Sequence, residues 1–212
     1  MGRKVGGWAN FVQNHFMRTQ IVAIVVSVLF SALAPSSALA AEEFWDPNGT
    51  VVGTSVSGNW DLVTSNWTAT IDSGISNAWT QGDDANFALA GTYTVTLTAP
   101  IMVGNLTATG TAGGLTLAGD AVNNLTLGPT SAFNVTNSSR TVTVSAPMVG
   151  TGSLTKSGNG TLTLSGANTY SGGTFLSSGN GLIGIAVNTV SGGGVITSSA
   201  LGTGPITVNV AG

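Results

Sequence analysis

Short apolar pairs set two residues apart recur along this chain, separated by clusters of Gly, Asn and Ser. After the alternating piece Tyr93-Thr94-Val95-Thr96-Leu97-Thr98 they stand at Leu115-Thr116-Leu117, Leu125-Thr126-Leu127, Phe133-Asn134-Val135, Val142-Thr143-Val144 and Leu162-Thr163-Leu164. Neighbouring side chains of an extended strand point to opposite faces, so each pair puts its two large residues on one side. The intervening clusters read as tight turns. The starts at 115, 125, 133 and 142 are ten, eight and nine residues apart, an even spacing that suits a sandwich, a barrel or a solenoid. Consistent two-residue Asn-Gly hairpins are missing, which disfavours an up-and-down antiparallel fold. The polar strand residues are Thr and Asn, able to ladder between stacked coils, where a soluble sandwich normally shows charge. We therefore expect an all-β parallel β-helix (β-solenoid) with about three short strands per coil. Its interior takes Leu, Val, Ile and Phe in rows, with Gly and Asn at the corners.

Charge narrows the partners. Charged residues are 6% of the 212, against roughly 25% in ordinary soluble proteins. Beyond Arg18 the only cations are Arg140 and Lys156, facing all eight acids. Nucleic acid is excluded as a partner, because phosphate binding needs clustered Lys and Arg. All but three of the 31 glycines follow Ala41, where apolar residues come in short broken runs, so no transmembrane helix is expected in the mature chain. There is no cysteine, which leaves backbone ladders and a packed core to hold an exported fold.

The N-terminus reads as an address. Ile21 to Ala34 is fourteen uncharged residues, preceded by Arg18 and followed by Pro35-Ser36-Ser37 and Ala38-Leu39-Ala40-Ala41. A basic start, a short apolar run and an A-x-A site make residues 1–40 a secretory signal peptide, cut between Ala40 and Ala41 with Ala38 and Ala40 as its small residues. The run falls short of the ~20 residues that span a bilayer. Translation from Met17 would give a leader of ordinary length, whereas Met1 would give a long one. His15, the single histidine, is lost with the leader. Export machinery is the first partner implied, and a secreted or cell-surface location accords with it.

Residues 41–90 differ in composition from residues 91–212. Four of the five tryptophans, Trp45, Trp60, Trp67 and Trp79, lie here and none occurs later. A solenoid exposes an apolar end that an atypical unit must cover, so we expect a cap here and coils over 91–212. The aromatics fill the end of the core on this reading. The alternative is a sugar-stacking platform, for which Trp60 and Trp67 are the candidates.

The stretch Leu154-Thr155-Lys156-Ser157-Gly158-Asn159-Gly160-Thr161-Leu162-Thr163-Leu164-Ser165-Gly166-Ala167-Asn168-Thr169-Tyr170-Ser171-Gly172-Gly173-Thr174 resembles the autotransporter-associated β-strand repeat, or passenger-associated transport repeat. That repeat runs L-x-K-x-G-x-G-T-L-x-L-x-G-x-N-T-Y-x-G-x-T, and every fixed position is matched, within a unit at about 150–182. The resemblance implies a right-handed coil in an exported passenger, with the repeat assisting secretion and extracellular folding, and an outer-membrane translocator as partner. One full copy is present and the tail from Ser198 looks like the lead-in to another coil, so the N-terminal part of a longer protein is expected.

Residues suited to catalysis are sparse. Without Cys or His in the mature chain, thiol nucleophiles, catalytic triads and zinc sites are excluded, and no cofactor is expected. Glu42-Glu43 and Asp83-Asp84 are the adjacent acids; they suit Ca²⁺ ligation or a glycosidase pair only if a turn makes them converge. Solvated acids in a cap loop are the plainer reading. After Gly91 the charges are Asp120, Arg140 and Lys156, too scattered for a polysaccharide lyase. Ser191-Gly192-Gly193-Gly194 lacks the Lys-Ser/Thr of a phosphate loop and reads as an insertion between coils. The sequence thus points to a structural passenger without enzymatic activity. An adhesin or carbohydrate-binding module is the alternative, surface polysaccharide then being the partner, and a lyase or hydrolase comes last.

Overall fold

The computed structural model describes residues 40–49, 56–71, 73–74, 76–177, 181–186, 189–192 and 195–209. The signal peptide expected over residues 1–40 lies outside them except for Ala40, and Ala38 of its cleavage site lies outside as well. Among the described residues there are strands and turns and no helix.

Each short apolar piece forms one side of a coil. The first face is built from β1 (Glu42–Trp45), β4 (Asp84–Phe87), β7 (Leu106–Ala108), β10 (Thr130–Val135), β13 (Ser153–Ser157), β15 (Thr174–Leu176) and β19 (Ile206–Val208), with β3 (Trp67–Thr68) on the outer side of β1. The second is β2 (Gly58–Trp60), β5 (Tyr93–Leu97), β8 (Gly113–Ala118), β11 (Arg140–Val144), β14 (Thr161–Leu164) and β16 (Ile183–Ile185). The third is β6 (Ile101–Val103), β9 (Leu125–Leu127) and β12 (Met148–Val149). All pairings within these faces are parallel except β1 with β3. The result is a parallel β-solenoid of about four turns. The pieces at 115, 125, 133 and 142 fall on the second, third, first and again second face, so their even spacing measures the sides of one coil.

Period two decides what is inside. Register aligns Tyr93, Leu115, Val142 and Leu162 as one buried row and Val95, Leu117, Val144 and Leu164 as the next. The residues between them stack as Thr94, Thr116, Thr143 and Thr163 on the outside. Ile101, Leu125 and Met148 line the third side. Each enclosed aliphatic contributes about 1.5–3 kcal/mol, repeated at every rung.

Within the stretch expected as a cap, residues 41–90, strands pair in register with those that follow. Glu42, Glu43 and Phe44 pair with Asp84, Ala85 and Asn86, and Gly58, Asn59 and Trp60 with Val95, Thr96 and Leu97. Only β3 departs, running antiparallel to β1. At the other end β17 (Val190–Gly192) and β18 (Val195–Ser198) form an antiparallel hairpin between β16 and β19. Of the Ser191-Gly192-Gly193-Gly194 motif, Ser191 and Gly192 lie in β17, and Gly193 and Gly194 lie outside the described residues.

Candidate functional site

The matched repeat is one coil, and its fixed residues are the points at which that coil closes. Leu154, Leu162 and Leu164 are fully buried, and Thr161 is the rung that pairs with Thr141. Between β13 and β14 the chain turns at Gly158, whose φ of 75° disfavours any residue with a Cβ. Gly160 and Gly166 lie against backbone of the preceding coil, at Asn137 and Ala146. Gly172 is pressed onto the Gly152–Ser153 peptide, where a Cβ would overlap backbone atoms. The third side has no regular strand here; side chains replace it. Asn168 is enclosed, its Oδ1 accepting the Met148 N–H at 2.7 Å and its Nδ2 donating to the Ala200 carbonyl at 2.7 Å. One amide thus joins the coil before to the segment after. Thr169 N–H donates to the Met148 carbonyl at 2.9 Å. The Tyr170 hydroxyl lies 2.6 Å from Thr174 Oγ1, which donates to the Leu201 carbonyl at 2.9 Å.

Lys156 and Arg140 take positions that the sequence left unassigned. Long cations are expected in water, yet both are buried. Lys156 occupies the interior row between Phe133 and Leu176, and its Nζ donates to the carbonyls of Ser157 (2.6 Å) and Gly158 (2.9 Å). Burial lowers its pKa. Arg140 donates through Nη1 to the Gly91 and Ala112 carbonyls, both at 2.9 Å, and through Nη2 to the Tyr93 hydroxyl at 3.1 Å. Its guanidinium carbon lies 5.3 Å from the centre of the Tyr93 ring. Both cations serve the corner between the first and second faces, where they donate to carbonyls of the turns. The signal available in the sequence was the alternation itself: Arg140, Val142 and Val144 share a phase, as do Leu154 and Lys156.

Both tyrosines of the chain are enclosed. Burial pushes each phenol up to about 12, against the opposing pull of Arg140 on Tyr93 and of the Thr174 bond on Tyr170. An unfolded tyrosine ionises near ~10. The raised values favour the folded state fully below about pH 10, and that preference is lost as the pH rises towards about 12. Spectrophotometric titration is expected to show no tyrosinate band in folded protein at about pH 10.5, then a rise coinciding with loss of the β-sheet circular dichroism. A half-developed band with the fold intact would contradict the enclosure of at least one ring.

The structure places the two ligand-stacking candidates, Trp60 and Trp67, in the interior. Trp60 and Trp67 are fully buried, with ring centres 4.7 Å apart and Trp79, Trp45 and Phe87 around them. Neither ring has a face for a sugar, because aromatic area at the end of the core gains more from packing than from exposure.

The acids behave differently from one another. Asp61 and Asp120 cap turns: Asp61 accepts from Val63 and Thr64, and Asp120 from Val122 and Asn123. The β1–β4 register brings the two acid pairs together, Glu42 opposite Asp84, an encounter the separate pairs did not announce. Asp84 accepts from the backbone and side chain of Asn105 at 2.7 and 3.1 Å. Among the described residues no group of three or more acids, histidines or cysteines could hold a metal ion. A cavity of about 120 Å³ beside β16 and β19 is lined by Ile185, Ile196, Ala200, Leu201 and Ile206 with small polar and glycine neighbours, and by no ionisable group.

The family described as passenger-associated transport repeat matches residues 154–180. The chain carries a passenger-associated transport repeat. The match covers the coil in which Lys156, Asn168 and the Tyr170–Thr174 pair close the turn of the solenoid. Over 170 residues, 78% of its length, the chain is 39% identical to the Adhesin BmaC autotransporter of Brucella suis biovar 1 (strain 1330). It spans 4% of the length of that relative. No solved structure matches it. Among the described residues no helix is long and apolar enough to cross a membrane.

Proposed function

We propose that this chain is a structural segment of an exported bacterial passenger, and that its transport-repeat coil is a folding template for the stalk as it emerges. The observation that carries this reading is that the repeat coil is closed by its own polar side chains. A solenoid grows by nearest-neighbour stacking, so a coil added to a partly emerged stalk has a partner on one side only. The Lys156 bonds to Ser157 and Gly158, the Tyr170–Thr174 pair and the Asn168 Oδ1 bond to Met148 lie within the coil or reach the coil before it, which keeps it in shape as the next is laid down; Asn168 Nδ2 and Thr174 Oγ1 then receive that next segment at Ala200 and Leu201. The similarity to an autotransporter adhesin supports a place at the cell surface or in the medium, an outer-membrane translocator as partner, and a non-enzymatic role. Adhesion is the second reading. It is favoured by the outer row Thr94, Thr116, Thr143 and Thr163, a flat file of hydroxyls at the ~4.8 Å rung spacing on which a surface polysaccharide can lie.

The test uses the full gene product in its own host. Asn168→Asp sets a carboxylate against the Ala200 carbonyl, a change worth about 1–3 kcal/mol, and Gly172→Val wedges the coil from Gly152. We expect each to lower the fraction of passenger cut by protease on intact cells several-fold, with leader removal unchanged. Undiminished display by both variants, alongside a measured loss of stability, would remove the templating role.

A further inference from the structure

Ala40 and Ala41 are exposed at the entrance to β1. The Ala41 nitrogen donates to Asp83 Oδ1 at 3.0 Å, and its carbonyl accepts from the Asp84 N–H at 2.7 Å, so the residue is fixed against the start of β4. Asp83 is only 9% exposed. Glu43 faces inward in the row that continues with Ala85 and Leu106, and its Oε2 is buried without a hydrogen-bond partner. Glu42, Glu43, Asp83 and Asp84 are the ionisable groups of these two rungs, and all are acids. The described cations, Arg140 and Lys156, are committed to carbonyls at the far corner. Burial, with the charge of Asp83 added, pushes the Glu43 carboxyl above the usual carboxylate range. Two buried acids side by side with an unmet acceptor and no cation form a costly arrangement.

We propose that hydrolysis of the Ala40–Ala41 bond creates the missing cation, the new α-ammonium of Ala41 pairing with Asp83 beside Glu43 and strengthening the first rung of the solenoid in the processed chain. Water adds across the peptide C–N bond under a signal peptidase; Ala40 departs with the carboxylate, and the nitrogen of Ala41 is left as a protonated amine. In place of one amide donor the site gains three and a full positive charge, at a nitrogen already in contact with Asp83. Before cleavage the acid-rich rung has no counter-charge, and β1 is held by its ladder to β4 and by the neutral Ala41 N–H bond to Asp83. The inference rests on the export reading, since it needs the leader to be removed at this bond.

The experiment collects the exported chain, reads its first residue by mass spectrometry and titrates the α-amine by NMR. Ala41 is expected first. Its amine is expected to titrate at roughly 9 or above, tenfold or more in proton affinity over the ordinary ~7.7–8.0. Because the folded value is raised, the stabilisation is complete below about pH 8 and is lost as the pH rises through the folded value. The melting temperature should fall across that window. Asp83→Asn is expected to return the amine to the ordinary range, whereas Glu42→Gln on the exposed side of β1 leaves most of the shift in place. Retention of the leader inside the cell would overturn the export reading together with this one. Processing at Ala41 with an amine that titrates near 8 in folded wild-type protein would overturn the ion pair alone, whether or not the Asp83 variant folds.

Discussion

Trp67→Ala lowers the unfolding free energy by about 3–5 kcal/mol, the usual cost of emptying a large aromatic site. Trp67 sits at the centre of the ring cluster, 4.6 Å from Trp79, 4.7 Å from Trp60, 5.3 Å from Trp45 and 5.5 Å from Phe87. Those neighbours belong to β1, β2, β4 and the approach to β4, so no single strand can move to fill the hole without breaking a ladder. Trp67→Phe separates packing from polarity. The indole Nε1 of Trp67 is buried without a partner, so the phenyl ring loses area but also removes an unmet donor, and the expected cost is about 1 kcal/mol. Denaturant unfolding followed by circular dichroism measures both. Titration with a panel of polysaccharides is expected to leave the tryptophan emission unchanged. A Trp67→Ala protein of wild-type stability would contradict the packing assignment.

Arg140→Ala is expected to cost about 3 kcal/mol, from a cavity plus lost charge-assisted hydrogen bonds. The guanidinium reaches across three successive coils from its own rung, to Gly91 in one and Ala112 in the next. Arg140→Met keeps much of the volume and discards the desolvation of a buried cation. The Ala112 carbonyl retains the Gly91 N–H at 3.0 Å, which leaves the Gly91 carbonyl and the Tyr93 hydroxyl as the groups that lose a partner. The expected loss for Met is about 1–2 kcal/mol. Since Arg140 opposes the upward push of burial on Tyr93, the same variant should delay the tyrosinate band of Tyr93 further. A Met variant as stable as the parent would show that the corner needs volume there and no cation.

Local sequence was enough for the strands, the turns between them and the three-sided coil. Alternation such as Val142-Thr143-Val144 is a property of the extended backbone itself, and the spacing of the pieces is the length of a side plus its corner. The repeat was equally legible, because Gly158, Gly172 and Asn168 are demanded by contacts within one turn and its immediate neighbours.

Only the tertiary structure decided where the polar and aromatic groups ended up. Trp60 and Trp67 offered two readings, platform or core, and the pairing of β2 with β5 and of β3 with β1 put both rings inside. Glu42-Glu43 and Asp83-Asp84 lie about forty residues apart in the chain, and their meeting depends on the register of β1 on β4. The burial of Arg140 and Lys156 was not legible because it depends on carbonyl acceptors at the corners, for Arg140 supplied by other coils. A strand's inner and outer faces are written in its own residues; which corner carbonyls, acids and rings it then meets is set by lateral stacking, and that is information carried by the distant rung.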